Sequence, residues 1–349
     1  MPATSPAGSS VIETEGELEE ALSRPSAADA AAMAELEGDL LVLGVSGKMG
    51  PSLIRLARRA CEKAGVSKRI IGAARFSNPG SREPLEKEGI ETVACDLLDR
   101  AAVDKLPDCR NVLFMAGQKF GTQDNQPLTW AINSHAPGVV ADRFSDSRIV
   151  SFSTGNVYPF TPVASGGPVE SHPTGPIGEY AQSALARERI FQYFSNYNGT
   201  AVTILRLNYA IDLRYGVLHD IAEKVLARKP VSLAMGHVNV IWQRDANSAA
   251  LRSFAHCSSP ALVLNLTGSA TLSTRRLAEQ FGEYWDIEPV FEGEESETAL
   301  LSNAARCREL LDPETVPVEQ MITWTAHWVE HGGRSLGKPT HFEERHGSF

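Results

Sequence analysis

The seven residues Gly44-Val45-Ser46-Gly47-Lys48-Met49-Gly50 are the strongest chemical signal in the chain. Glycines at these spacings permit a tight turn, let backbone approach a pyrophosphate, and bring a helix against a strand. The phosphate then meets unpaired N–H groups where the helix begins. Gly44, Gly47, Lys48, Met49 and Gly50 are therefore candidate contacts to a dinucleotide. The residues after the second strand bear on which dinucleotide it is. An NAD site places an acid there to grip the ribose, whereas this chain has Ala74 followed by Arg75, with Lys48 in the loop and Arg82 a little further on. That pattern favours the 2′-phosphate of NADP, with NAD as the alternative. Asp96 and Leu97, after the third strand, suit an adenine contact. Lys119 follows the fourth strand, at the edge where such sheets bind ligands, and is a candidate for a catalytic or substrate role.

These residues need a scaffold, and the hydrophobic pattern supplies one. Short apolar runs at 40–43, 69–74, 91–94, 111–115, 148–152 and 203–207 are separated mostly by helical stretches, and one more strand is expected at 261–266. Strands alternating with helices predict an α/β fold, a doubly wound parallel sheet of the Rossmann kind, with a smaller C-terminal substrate lobe. The expected division is an N-terminal helical arm over 1–38, a dinucleotide-binding domain over 39–210 to which 239–268 return, and a substrate lobe and tail from 211–238 and 269–349. Ser26 is the expected cap of the arm's second helix. Helices are expected at 218–227, 246–257, 273–284 and 318–330.

Composition narrows the partners. The 349 residues are 42% hydrophobic and 22% charged, an ordinary globular balance, and carry a formal net charge of −10. Such a surface repels phosphate backbones and anionic lipid, which argues against nucleic acid and membrane as partners. No apolar run approaches the ~18 residues of a membrane span, and no secretory signal is visible, so a cytoplasmic location is expected. Five scattered cysteines without a CxxC pair read as reduced thiols. His327 and His331 are four apart on an expected helix, but no third ligand accompanies them, and no metal is expected.

In order along the chain, these features resemble the extended short-chain dehydrogenase family, which includes NAD(P)-dependent sugar epimerases and dehydratases. The resemblance runs from about Asp39 to Gly268. It comprises the Gly44–Gly50 turn, the pair Ala116-Gly117 after the fourth strand, Asn133, the segment Ser153-Thr154-Gly155-Asn156-Val157-Tyr158, and Tyr180 at the start of a helix after a Pro-rich loop. Arg206-Leu207-Asn208-Tyr209 and Asp245 complete it. The resemblance implies that Tyr180 is the catalytic tyrosine, that Thr154 with its neighbour Ser153 holds the reacting oxygen, and that Ala116 and Gly117 border the cofactor. It also implies that Asn156, Asn208, Arg214 and Tyr215 meet the substrate, with Arg214 as an anchor for a carboxylate or phosphate. A homodimer and a small sugar-type substrate follow from the same likeness.

One position departs from the family pattern. The lysine of Tyr-x-x-x-Lys is Ala184 here. That lysine lowers the tyrosine's pKa in the family, and a free phenol titrates at ~10. Lys119 and Arg187 are the candidates to replace it, with Arg187 a helical turn too far along. The expectation is an NAD(P)-dependent oxidoreductase, epimerase or dehydratase acting on a sugar, sugar acid or nucleotide sugar. The alternative is an NAD(P)-binding sensor or scaffold that has lost hydride chemistry. The C-terminal segment 337–346, charged yet aromatic, is expected to fold over the site or over a partner subunit.

Overall fold

Uninterrupted apolar strands need cover on both faces, and the structure provides it. The computed structural model describes residues 11–119, 121, 124–313 and 315–347; the first ten residues and Phe120 lie outside them. Seven parallel strands form the central sheet: β1 (Leu40–Leu43), β2 (Ile70–Ala74), β3 (Glu91–Ala94), β4 (Asn111–Phe114), β5 (Arg148–Thr154), β6 (Val202–Leu207) and β7 (Leu262–Leu266). Their spatial order is β3-β2-β1-β4-β5-β6-β7. In β1, Leu40 and Val42 join one hydrophobic layer with Leu53 and Ile54, while Leu41 and Leu43 join the other with Phe114 and Phe191.

β1 lies between β2 and β4, with Leu40 opposite both Ile70 and Asn111. Winding reverses at that point, so a crevice opens beyond the carboxyl ends of β1 and β4. The residues leading out of those two ends are Gly44 and the Met115–Lys119 segment.

Two short helices precede the sheet, α1 (Glu15–Ser23) and α2 (Ala27–Glu35), each begun by a capping box, Thr14 with Glu17 and Ser26 with Asp29. Both fold back on the body of the molecule. Leu18 and Leu22 enter the core of the C-terminal lobe, and Met33 packs against the sheet's helical layer. After β1 comes α3 (Gly50–Ala64), and after β5 the long α4 (Gly178–Asn198), which carries Tyr180. The lobe is built around Trp242, Phe281, Trp328 and Phe342 by α5 (Val217–Leu226) and helices Thr274–Trp285 and Val318–Glu330. Between them α6 (Gln243–Arg252) packs against α2 and α3 and leads back to β7.

The chain ends in a strap that crosses the lobe. The Leu336 N–H donates to the Arg214 carbonyl at 3.0 Å. Phe342 is buried, and Arg345 donates to the Thr298 carbonyl at 2.9 Å while lying over the Phe160 ring. Gly347 then rests on Gly178 at the start of α4, so closely that a Cβ on Gly178 would fall 2.3 Å from the Gly347 oxygen. Among the described residues no helix is long and apolar enough to cross a membrane, all five cysteines are free, and no cluster suited to a metal occurs.

Candidate active site

The glycine loop is shaped by what a side chain would strike. Gly44 has φ +89°, and a Cβ there would lie 2.7 Å from the Ala116 backbone. A Cβ on Gly50 would meet the Val45 oxygen at 2.1 Å, because α3 begins directly on the loop. Gly47 is different: only the Gly44 oxygen, at 3.2 Å, approaches its Cβ position, and it faces a cavity of about 790 Å3. The helix that starts here has no side-chain cap, and Pro51 stands in its first turn. A glycine facing the cavity beside an uncapped helix start fits a pyrophosphate.

Across the crevice, β4 leads into Gly117, and the loop beyond is pinned by Asn133, whose amide accepts from the Gln118 N–H and donates to the Gln118 carbonyl, both at 2.9 Å. Arg187 of α4 reaches under this loop. Its guanidinium donates to the Asn133 side-chain oxygen at 2.9 Å and to the Phe152 carbonyl at 2.8 Å, and it is 6% exposed. A Cβ on Gly117 would fall 2.7 Å from this guanidinium, so a side chain there would displace Arg187.

Tyr180 lies two turns before Arg187 on the same helix and lines the cavity with it. Burial pushes its phenol above the ordinary value, while a hydrogen bond with Thr154 and the charge of Arg187 pull it back. The Thr154 hydroxyl also donates to the Asn156 side-chain oxygen at 3.0 Å and accepts from the Asn156 N–H at 3.2 Å. Ala184 is packed against Val157, Tyr158 and Leu185. The cation beside the phenol is thus Arg187, one turn beyond the position where the family pattern has lysine.

The opposite wall is made of side chains from distant segments. Lys48 turns away from the glycine loop, donates to the Ala210 carbonyl at 3.0 Å and lies 3.8 Å from the Tyr215 ring centre. Lys119 donates to the Thr340 carbonyl of the strap at 3.3 Å. Burial lowers both ammonium groups to about 8, and the charge of Lys119 adds to the lowering of Lys48. Asp220 faces both lysines, its carboxylate held by the Thr340 N–H and hydroxyl, and burial raises its pKa. Tyr209, with φ +44°, and Tyr215 complete this wall, and burial pushes both phenols upward. A non-glycine residue held in that conformation stores about 1–3 kcal/mol of strain.

Of the residues singled out from the sequence, the cavity gathers Gly47, Lys48, Met49, Gly117, Lys119, Ser153, Thr154, Asn156, Tyr180, Asn208, Arg214 and Tyr215. Gly44, Gly50 and Ala116 lie behind its wall as the loop's support. Arg75, Asp96 and Leu97 stand outside it, Arg75 and Asp96 being exposed.

Several residues take parts other than those expected. Ser153 donates to the buried Glu188 at 2.5 Å, and Glu188 is in turn paired with Arg206 at 2.7 Å, so this hydroxyl supports the floor. Arg214 is no free anchor: Asp212 at 3.1 Å and Glu19 of α1 at 2.6 Å already hold its guanidinium. Asn208 ties the end of β6 to the Leu300 carbonyl at 3.4 Å. Two of the three bases expected around a 2′-phosphate are engaged elsewhere, Lys48 in the lobe and Arg82 with Glu86 and Thr92. The charged and aromatic tail folds over this chain's own site. Lys338 and Thr340 belong to the segment expected to fold over the site; Asp220 and Leu336 were not among the expected residues, since local pattern carries no signal for contacts this distant in sequence.

Sheet order, glycine loop and tyrosine helix together define a Rossmann-type dinucleotide-binding protein of the short-chain dehydrogenase class. The sequence model of the NAD dependent epimerase/dehydratase family matches residues 40–266, and the chain belongs to that family. No curated protein matches its sequence. Among solved structures it is similar to UDP-glucose 4-epimerase of Thermotoga maritima with UDP-glucose, at 17% identity and TM-score 0.67 over 84% of this chain and 98% of that one. It is also similar to UDP-glucuronic acid 4-epimerase of Bacillus cereus with NAD, at 16% identity and TM-score 0.69 over 84% and 98%. A short-chain dehydrogenase/reductase superfamily protein of Agrobacterium tumefaciens with bound NAD shares 19% identity at TM-score 0.67 over 83% and 97%. At these identities the likeness establishes the fold.

Proposed function

We propose that the protein is an NAD-dependent enzyme acting at a hydroxyl-bearing carbon of a sugar-type small molecule, through a closed redox cycle of the epimerase or dehydratase kind. The observation that carries this reading is the Thr154 hydrogen bond to Tyr180 with Arg187 charged beside it, in one cavity with Gly47. The sugar, sugar acid or nucleotide sugar as substrate class is supported by similar structures that hold UDP-glucose or bear the name of a UDP-glucuronic acid epimerase.

The glycine loop from Gly44 to Gly50 would hold the pyrophosphate, and Met115 and Gly117 would border the nicotinamide end. When bound, the dinucleotide supplies acceptance and return of a hydride. NAD is preferred to NADP because only Arg75 of the three expected bases is left near the end of β2. Thr154 orients the substrate oxygen. As the phenolate, which the charge of Arg187 stabilises, Tyr180 accepts the hydroxyl proton while the substrate is oxidised, and the phenol so formed returns that proton to the oxygen when the hydride comes back; because burial raises the phenol's pKa, the phenolate fraction grows as pH rises.

The alternative reading, a nucleotide sensor or scaffold without hydride chemistry, rests on Ala184. Arg187 weighs against it, since a buried cation beside the phenol supplies part of what the missing lysine would. A homodimer through α4 is supported by the exposed Tyr193 and Tyr197 on that helix and Ile177 just before it, and light scattering would read the mass. A cytoplasmic location fits the free thiols.

Denaturing the purified protein and identifying the released nucleotide is the first test, with stoichiometric NAD(H) expected. Tyr180→Phe should lower turnover by about 100-fold to 10,000-fold with NAD affinity nearly unchanged. Full activity in that variant would remove Tyr180 from the mechanism.

A further inference from the structure

We propose that Gln243 and Asn247 of α6 are positioning residues for the dinucleotide: together they set the Ser52 hydroxyl, which fixes the Met49 carbonyl at the start of α3 and keeps that helix end open to the pyrophosphate. The inference rests on the function proposed above and adds to it two groups that act through the glycine loop without touching the cofactor.

Two buried amides are each only half partnered. The side-chain nitrogens of Gln243 and Asn247 both donate to Ser52 Oγ at 2.9 Å. Among the described residues their oxygens, Oε1 and Oδ1, are buried with no hydrogen-bond partner. Gln243 and Asn247 are fully buried and Ser52 nearly so. The two amides stand four residues apart on one helical face, so both reach the same point. A buried acceptor without a donor is costly, and apolar side chains of similar size would pack α6 on α3 without that cost. Packing therefore does not account for this pair.

What the amides decide is where the Ser52 proton goes. A serine hydroxyl has one proton and two lone pairs. With an NH2 group on each lone pair, the proton is left for the Met49 carbonyl, to which Ser52 donates at 3.0 Å. The same count fixes the amides, since turning either oxygen toward Ser52 would demand a second hydroxyl proton. The Met49 carbonyl also accepts from the Leu53 N–H at 3.0 Å, so it points along α3 and away from the helix start. Met49 is the residue that opens α3, and its side chain makes no capping bond, so the restraint comes from outside the turn. A carbonyl swung toward the cavity would set a negative dipole end against a pyrophosphate; held inward, it leaves the helix N–H groups to face the anion. Met49, Ser52 and Gln243 line the same cavity as Gly47. The other end of the device is anchored in the N-terminal arm. Asp29 of α2, itself fully buried, accepts from Arg244 of α6 at 3.2 Å and from the Ser248 hydroxyl.

The test is calorimetric titration of the wild-type protein, Gln243→Leu, Ser52→Ala and the double variant with NAD and with ADP, alongside urea unfolding of each. Gln243→Leu and Ser52→Ala should each weaken NAD by about tenfold. The double variant should lose no more than Ser52→Ala alone, because Gln243 acts only through the hydroxyl. ADP, which carries the diphosphate without the nicotinamide, should lose the same factor. The urea midpoint of Gln243→Leu should not fall, since the change removes an unpaired oxygen. A merely structural amide gives the reverse, a lower midpoint with unchanged NAD affinity, and that result overturns the proposal. Additive losses in the double variant overturn it as well, as does a loss seen with NAD and absent with ADP. If Gln243→Leu does not fold, Gln243→Met and Asn247→Leu carry the same cycle. A wild-type protein that binds neither NAD nor ADP overturns the proposed function and this proposal with it. One that binds NAD while every variant binds it equally overturns this proposal alone.

Discussion

On the side of the cavity proposed for the cofactor the wall is backbone, and on the side proposed for the substrate it is side chains. Gly44, Gly47 and Gly50 sit within one turn, and their roles follow from what a single carbon atom would strike. Facing them, Lys48 reaches a carbonyl 162 residues away and Lys119 reaches one 221 residues away. A backbone wall tolerates almost no change but recognises only what the cofactor always presents. A wall of long side chains, closed by a terminal strap, can be altered residue by residue, and substrate choice belongs there.

The comparison breaks most sharply at the glycines. Gly50→Ala forces a Cβ to within 2.1 Å of the Val45 oxygen, and a loss of about 3 kcal/mol in stability is expected. Gly47→Ala, with only the Gly44 oxygen at 3.2 Å, should stay within about 0.5 kcal/mol of the parent. It should nonetheless weaken NAD by about tenfold to a hundredfold, because the new methyl faces the pyrophosphate. Urea unfolding and NAD titration of the two variants separate a supporting glycine from a binding one. Similar stability in both would mean that the loop is soft and the contrast between the walls is false.

Arg187 sharpens the contrast, since it is a side chain working on the backbone side. Arg187→Met removes the charge beside Tyr180, so the phenol's pKa moves further up and proton acceptance needs higher pH. The expected result is about a 100-fold fall in kcat with the rising limb of its pH profile shifted alkaline. Arg187→Lys should recover part of both. A variant that loses stability but keeps the wild-type pH profile would reduce Arg187 to a strut for Asn133 and Phe152.

What the sequence made legible divides along the same line. All seven strands are consequences of local pattern, because both faces of β1 are buried; glycine at 44 answers a positive φ in the turn, and glycine at 50 the Val45 oxygen that a Cβ would strike. Tyr180 and Thr154 were singled out through the family resemblance, and the structure brings both to one cavity. Arg187 was undervalued because helical spacing places it two turns from Tyr180, while the cavity floor brings its charge back beneath the phenol. Lys48 was misplaced for the opposite reason: its neighbours in sequence suggested phosphate, but its four-carbon stem carries the charge across to Tyr215. Nothing local foretells Thr340 clamping Asp220, because that contact exists only when the strap has crossed the lobe.

The smallest expected effect is a stability difference that reverses ordinary intuition about lysine. Lys48 and Lys119 are lowered from 10.5 to about 8 by burial. A lysine lowered in the folded state is protonated more readily in the unfolded chain, so its contribution to stability improves as pH rises from about 8 to 10.5 and is least favourable below 8. Lys119→Met removes one such group and should be more stable than the parent at pH 7 by on the order of 1 kcal/mol. The advantage should shrink above pH 8 as the parent's lysine gives up its proton. The thiols of Cys109 and Cys257, pushed up to about 11, and the buried tyrosines act in the other direction at alkaline pH. Those groups are common to both proteins and cancel in the difference. Urea unfolding of the two proteins at pH 7, 8.5 and 9.5 reads it. A parent that is more stable at pH 7 would show that Lys119 is held as a structural group, and that the substrate wall is built as rigidly as the glycine loop.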